Sequence, residues 1–127
     1  MREVPLLWLA HARSGDKGDS ANIGVVAYDE ESYNVIRQSV TQDEVKRHFG
    51  PLVRGAVERY ELPNLLALNF VLHGALDGGG TVSLRTDAQG KVLSAALLRM
   101  TVRVPDELAE RIEGRGRVPD GWSPEEP

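Results

Sequence analysis

The chain predicts an α+β sandwich, a mostly antiparallel sheet with helices on one face, and two observations carry that prediction. Apolar stretches with the two-residue alternation of strands lie near both ends of the chain, and stretches with the three-and-four spacing of helices lie between and after them. At 127 residues the chain suits a single domain with a core that needs neither disulfides nor a structural metal.

The first strand is read over Val4–Ala12, where Val4, Leu6, Trp8 and Ala10 alternate with Pro5, Leu7 and Leu9. Both classes are apolar, so cover is expected on both faces. Ala21–Tyr28 repeats the pattern as the first strand's partner, with a polar loop joining their ends. Asp29–Ser39 reads as a helix through Tyr33, Ile36 and Val40, although Val35-Ile36 leaves a strand open. Thr41-Gln42-Asp43-Glu44 is a capping box, Val40 can staple to Val45, and Gly50-Pro51 stops the helix after Phe49.

Val53–Leu62 is the third strand. Leu65, Leu68, Leu72 and Leu76, joined by Phe70 and Val71, favour a helix that Gly78-Gly79-Gly80 terminates, with a strand as the competing reading. Thr81–Thr86 and Lys91–Val104 alternate as strands around a hairpin turn at Asp87-Ala88-Gln89-Gly90. Asp106 is expected to cap a short helix through Ile112. The nearest named fold is a ferredoxin-like sandwich. Residues 1–104 are read as one domain, 105–114 as a short C-terminal helix, and 115–127, rich in proline, glycine and charge, as a tail that is mobile or docks on a partner.

Composition removes several function classes. The chain has no cysteine, so disulfides, thiolate nucleophiles and cysteine-ligated metals are excluded and a cytoplasmic protein is expected. No stretch approaches the roughly 20 apolar residues of a membrane span, and Met1–Pro5 does not begin a signal peptide. A net charge of −4 with interspersed signs offers no basic field for nucleic acid.

The segment His11–Gly24 carries the densest chemistry. Gly15 and Gly18 can free the backbone to aim N–H groups at one point while Arg13 and Lys17 add positive charge, an anion nest for a phosphate or carboxylate that Ser14 and Asn22 could join. Asp16 and Asp19 permit Mg²⁺ instead. His11 beside the loop reads as structural or as a general base, with Asp16 the other candidate catalytic group. His48 belongs on a helix face, and no histidine pair has metal-ligand spacing. Asn69 and His73, read as one helical turn apart, share a face and either bond to core backbone or look into a pocket. Arg85, after the glycine run, could grip a carboxylate bidentately.

The loop Ala12-Arg13-Ser14-Gly15-Asp16-Lys17-Gly18, continuing to Ala21-Asn22-Ile23-Gly24-Val25, resembles the AtuA-like domain of acyclic terpene utilisation proteins. Tyr60-Glu61-Leu62-Pro63, Ala67–Leu72, the glycines 78 to 80 and Ser83-Leu84-Arg85 through Lys91 are similar to it as well, over roughly residues 5 to 102. The resemblance implies a ferredoxin-like fold and a place in the catabolism of branched terpenoid acids through coenzyme A thioesters. Such a domain usually ends a longer protein; standing alone, it implies a larger AtuA-like partner chain or an independent function. Asp19 stands where asparagine is more usual, which favours the cation over a pure anion nest. The resemblance makes the polar loop, Asn69 and Arg85 features of one domain and implies one shared pocket.

The reading is therefore a small AtuA-like protein, a subunit or accessory in acyl-CoA or terpenoid acid catabolism. It would bind an anionic ligand, a coenzyme A thioester among the candidates, through the Arg13–Asn22 loop. Two alternatives stand beside it: a non-catalytic module that assembles with a larger partner chain, and an independent hydratase-like or hydrolytic enzyme. A homo-oligomer is expected, because the short helices cover one side of a sheet whose first strands are apolar on both.

Overall fold

The strands of the chain form two sheets. The computed structural model describes residues 1–17, 20–75 and 87–113, with the backbone alone for 16, 17 and 87–92. Its strands are β1 (Arg2–Pro5), β2 (Ala10–Lys17), β3 (Ser20–Ala27), β4 (Val57–Leu62), β5 (Ala67–Leu72) and β6 (Thr101–Val104). Its helices are α1 (Glu30–Ser39), α2 (Gln42–Phe49), α3 (Asp87–Leu98) and α4 (Asp106–Ile112).

The main sheet has the order β2-β3-β5-β4, antiparallel throughout, and β1 with β6 forms a separate two-stranded ribbon. Because β5 lies between β3 and β4, those two run parallel and are joined by α1 and α2 as a split βαβ unit. That is the ferredoxin-like arrangement with the chain opened so that one edge strand, β2, precedes the central pair. Helices α1, α2 and α3 pack on β3, β4 and β2 respectively. Ile23, Val25, Leu68, Phe70 and Leu72 fill the layer beneath them. The α+β class and helices on one face hold.

Local signals explain the elements that match. Asp29 Oδ1 accepts from Ser32 N–H at 2.8 Å at the start of α1, and Thr41 Oγ1 accepts from Glu44 N–H at 3.2 Å at the start of α2. Val40 and Val45 are both fully buried, and Gly50 ends α2 with φ +57. Arg59 closes α1, its Nη1 donating to the carbonyls of Arg37 at 2.7 Å and Val40 at 3.0 Å.

Four expectations are corrected. Val4–Ala12 is not one strand: Pro5, at φ −65, leads into a 3-10 turn at Leu6–Trp8, and the chain leaves β1 for the other sheet. Val4, Leu6, Leu9 and Ala10 thereby all bury in one core, so the first run no longer presents two apolar faces. Second, the polar loop is a hairpin, paired from Ala10↔Ala27 to Lys17↔Ser20. His11, Arg13 and Asn22 fall in the outward class of strands covered on one side only, whereas Ser14, opposite the buried Ile23, falls in the inward one. Third, the stretch after Pro63 is not a helix. Leu68, Phe70 and Leu72 alternate into the core, β5 is paired on both sides, and Leu66 at φ 53 turns the chain into it.

Fourth, Asp87–Leu98 is a helix where a hairpin turn and the first half of a long strand were expected. Leu93 and Leu97, four residues apart, bury against the core, and only Thr101–Val104 is extended. The short last helix is present, but Pro105 takes the N-cap position without a side-chain bond. Asp106 lies in the first turn instead and pairs with the N-terminal amine at 3.3 Å. Thr81–Thr86, the glycines 78 to 80 and the 115–127 tail lie outside the described residues.

Candidate functional site

With three helices on one face, the other face of the main sheet is left to side chains of the opposite alternation class. The register lines them up in rows across the strands. Arg13 lies opposite Gly24, Gly24 opposite Asn69, and Asn69 opposite Tyr60. The next row runs Gly15, Asn22, Val71 and Glu58. Gly24 forms the floor between Arg13 and Asn69, since a Cβ there would meet the Asn69 Oδ1 at 3.9 Å. The result is a cleft of about 740 Å³ lined by Arg13, Gly15, Ser20, Asn22, Asn69 and Val71 among others.

Sequence-selected residues therefore meet here, though not as a loop. Arg13, Ser14, Gly15, Asn22 and Asn69 all line the cleft. Over residues 13 to 17 the backbone is extended, with successive N–H groups pointing to opposite sides, so no nest of converging N–H groups exists along that strand. The outward side chains supply the polarity: the Arg13 guanidinium, the Asn22 and Asn69 amides and the Ser20 hydroxyl. His11 stands apart, exposed, with its ring 5.7 Å from that of Tyr28. The side chains of Asp16 and Lys17, and the whole of Gly18, Asp19 and Arg85, lie outside the described residues. His48 is on a helix face as expected, its Nε2 2.7 Å from the Ala96 carbonyl oxygen.

At the end of the cleft the sheet holds a group that the sequence reading did not assemble. Ser20 Oγ lies 3.4 Å from His73 Nδ1, the His73 Nε2 bonds to Glu58 Oε2, and the Tyr60 hydroxyl donates to Glu58 Oε1. The tautomer that satisfies both neighbours carries the proton on Nε2, donating to Glu58, and leaves Nδ1 to accept from Ser20. The hydrogen bonds from Tyr60, first, and His73 hold the Glu58 carboxyl below the usual range, while Glu58 pushes the Tyr60 phenol up.

The position of His73 is built with care. It follows β5, and its N–H donates to the Ala56 carbonyl at 2.9 Å while its own carbonyl accepts from Gly55 N–H at 2.8 Å. Gly74 turns away next at φ +70. Behind this segment, Lys46 Nζ on α2 donates to the carbonyls of Val53 and Gly55, each at 2.5 Å. Asn69 and His73 do share a face, as the sequence suggested, but because an even spacing of four repeats on a strand as it does on a helix. The alternation Glu58-x-Tyr60 beside Asn69-x-Val71-x-His73 was the signal available for the rest.

The AtuA ferredoxin-like domain matches residues 4–103, which spans both the hairpin and the cleft. The chain belongs to that family. Neither a curated protein nor a solved structure matches it. Within this AtuA-family domain, no group of three or more histidines and carboxylates able to hold a metal occurs among the described residues. Nor, among them, is any helix long and apolar enough to cross a membrane.

Proposed function

We propose that this AtuA-family chain binds an organic acid or its thioester on the uncovered face of the sheet, as a cytoplasmic subunit or accessory in acyl-CoA or terpenoid acid catabolism. The observation that carries the reading is the convergence of Arg13, Asn22 and Asn69, from three adjacent strands, on one cleft with a glycine floor. A guanidinium grips a carboxylate or phosphate in two parallel hydrogen bonds, the amides fix its orientation, and Gly24 and Val71 leave room for a hydrocarbon body. Asp16 and Asp19 would be the carboxylates to hold Mg²⁺ were the anion bound through a cation, which belongs to the same reading.

The test is a thermal-shift screen of coenzyme A esters, branched organic acids and Mg²⁺ against the wild type and Arg13→Ala. A ligand at 100 times its Kd stabilises the folded state by about 2.7 kcal/mol, enough to read as a shift of several degrees. Stabilisation of the wild type that Arg13→Ala loses supports the reading. No shift with any of these ligands ends it.

A second reading, a module that joins a further copy or a larger partner chain, is favoured by apolar side chains left in solvent at the β4 edge. Tyr60 is 49%, Leu62 40% and Leu65 65% exposed. Light scattering at micromolar concentration decides the homo-oligomer: a monomer mass defeats it.

A further inference from the structure

We propose that Ser20, His73 and Glu58 form a nucleophile, base and orienting group that cleave an ester or thioester held in the adjacent cleft. The inference rests on the cleft reading only for where the acid portion of the substrate lies. Its chemistry rests on the array itself. Ser20 lines the cleft and faces the imidazole at 3.4 Å, the loose contact usual before substrate tightens a catalytic hydrogen bond. Glu58 holds the other ring nitrogen and is itself held by Tyr60, so that both carboxylate oxygens are engaged. A base oriented by a third group is the pattern that activates a serine, whatever the fold and whichever imidazole nitrogen faces it.

A purely structural role accounts poorly for this arrangement. The side chains of His73 and Glu58 are 42% and 44% exposed, and ion pairs so open to water contribute little to stability. Yet the segment is held in place, with Gly55 packed where a side chain would collide with the His73 backbone and Cβ, and Gly74 at φ +70, which fixes where the ring starts.

The steps balance without an outside oxidant or metal. The Ser20 oxygen bonds to the carbonyl carbon as its proton passes to His73 Nδ1, and the carbonyl π electrons move onto oxygen. The amide of Asn22, two residues further along the same face, and the Arg13 guanidinium are the donors on the cleft wall available to that oxyanion. Re-forming the carbonyl breaks the bond to sulfur or alkoxy oxygen, and the leaving group takes the proton from His73. Water then adds to the acyl-serine while giving a proton to His73, and collapse returns that proton to Ser20 and releases the acid. Ser20 and His73 are the catalytic residues; Glu58 and Tyr60 are positioning residues.

Diisopropyl fluorophosphate and p-nitrophenyl acetate are the probes. The expected result is a single phosphoryl adduct mapped to Ser20 by peptide mass spectrometry, absent in Ser20→Ala, together with ester hydrolysis that Ser20→Ala loses. His73→Gln should slow both reactions by about 100-fold and Glu58→Gln by about tenfold, with Glu58→Asp recovering part of the loss. A wild type unlabelled at Ser20, or hydrolysis undiminished in Ser20→Ala, overturns the proposal whether or not a variant folds poorly. So does a Glu58→Gln variant that labels at the wild-type rate. Both probes are small and carry no acid group for Arg13 to grip. Labelling of Ser20 with no thermal shift from any acid would therefore defeat the cleft reading alone, and the reverse would defeat this one alone.

Discussion

Gly55 packs so close to His73 that it admits no side chain: a Cβ on Gly55 would lie 2.8 Å from both the His73 Cβ and its carbonyl oxygen. Such a separation is well inside van der Waals contact, and two of the atoms involved are fixed by the backbone bond between the residues. Gly55→Ala is therefore expected to cost about 1 to 3 kcal/mol, the usual penalty of overpacking. Urea denaturation measures it. The displaced imidazole should also separate from Ser20, visible as a change in the His73 ring resonances by NMR at temperatures where the variant is folded.

Gly24 is the opposite case. A Cβ there meets only the Asn69 Oδ1, at an ordinary 3.9 Å, and the position opens onto the cleft, so Gly24→Val should fold with stability within about 1 kcal/mol of the wild type. It nevertheless fills the floor of the cleft. Any ligand found by the thermal-shift screen should lose its effect in this variant, and retention of the full shift would place the ligand elsewhere.

Tyr33 is only 4% exposed, and its hydroxyl has no hydrogen-bond partner among the described residues. Removing an unpaired buried polar group relieves its desolvation cost. Tyr33→Phe should match the wild type or exceed it by up to about 1 kcal/mol in urea, and a loss of more than that would reveal a partner.

The Glu58 and Tyr60 pair sets a pH dependence with two limbs. Glu58, with its folded pKa lowered, contributes stability above about 4.3, the value of an unfolded chain, and loses it as pH falls through the lower folded value. Tyr60, with its folded pKa raised, contributes below about 10 and loses that contribution as pH rises through the higher folded value. Glu58→Gln should flatten both limbs of the stability profile, and Tyr60→Phe should abolish the alkaline one and weaken the acid one, leaving there the part that His73 supplies. Denaturation midpoints in low salt, where exposed charges are least screened, read the difference.

The sequence expressed best what local chemistry decides. The Thr41–Glu44 box and Gly50 placed α2 nearly to the residue, because each acts within one turn. Ala67–Leu72 and Asp87–Leu98 were exchanged in type because their patterns serve both periods. Leu65, Leu68 and Leu72 fit a helical stripe, while the deciding fact, strands β3 and β4 on either side, is a long-range one. Leu93 and Leu97 fit a strand face until β2 supplies the surface that α3 covers.

The site was legible in part for the same reason. Arg13 and Asn22 stood out within a polar, glycine-bearing segment and Asn69 as a polar residue in apolar surroundings, and the cleft does collect them. Ser20, Glu58 and Tyr60 did not, because each is unremarkable until the register sets them around His73.

That register has a consequence for how such a surface can change over time. On β3 and β5 the cleft residues Asn22, Gly24, Asn69 and Val71 each sit between two core neighbours, as Asn69 does between Leu68 and Phe70, so a one-residue insertion within either strand would trade the working face for the greasy one. Deletions and insertions are closed to this site as routes of divergence. Point substitutions on the outward positions are open, and nearly independent of the core, so the sheet is a plate on which new specificities can be written one side chain at a time.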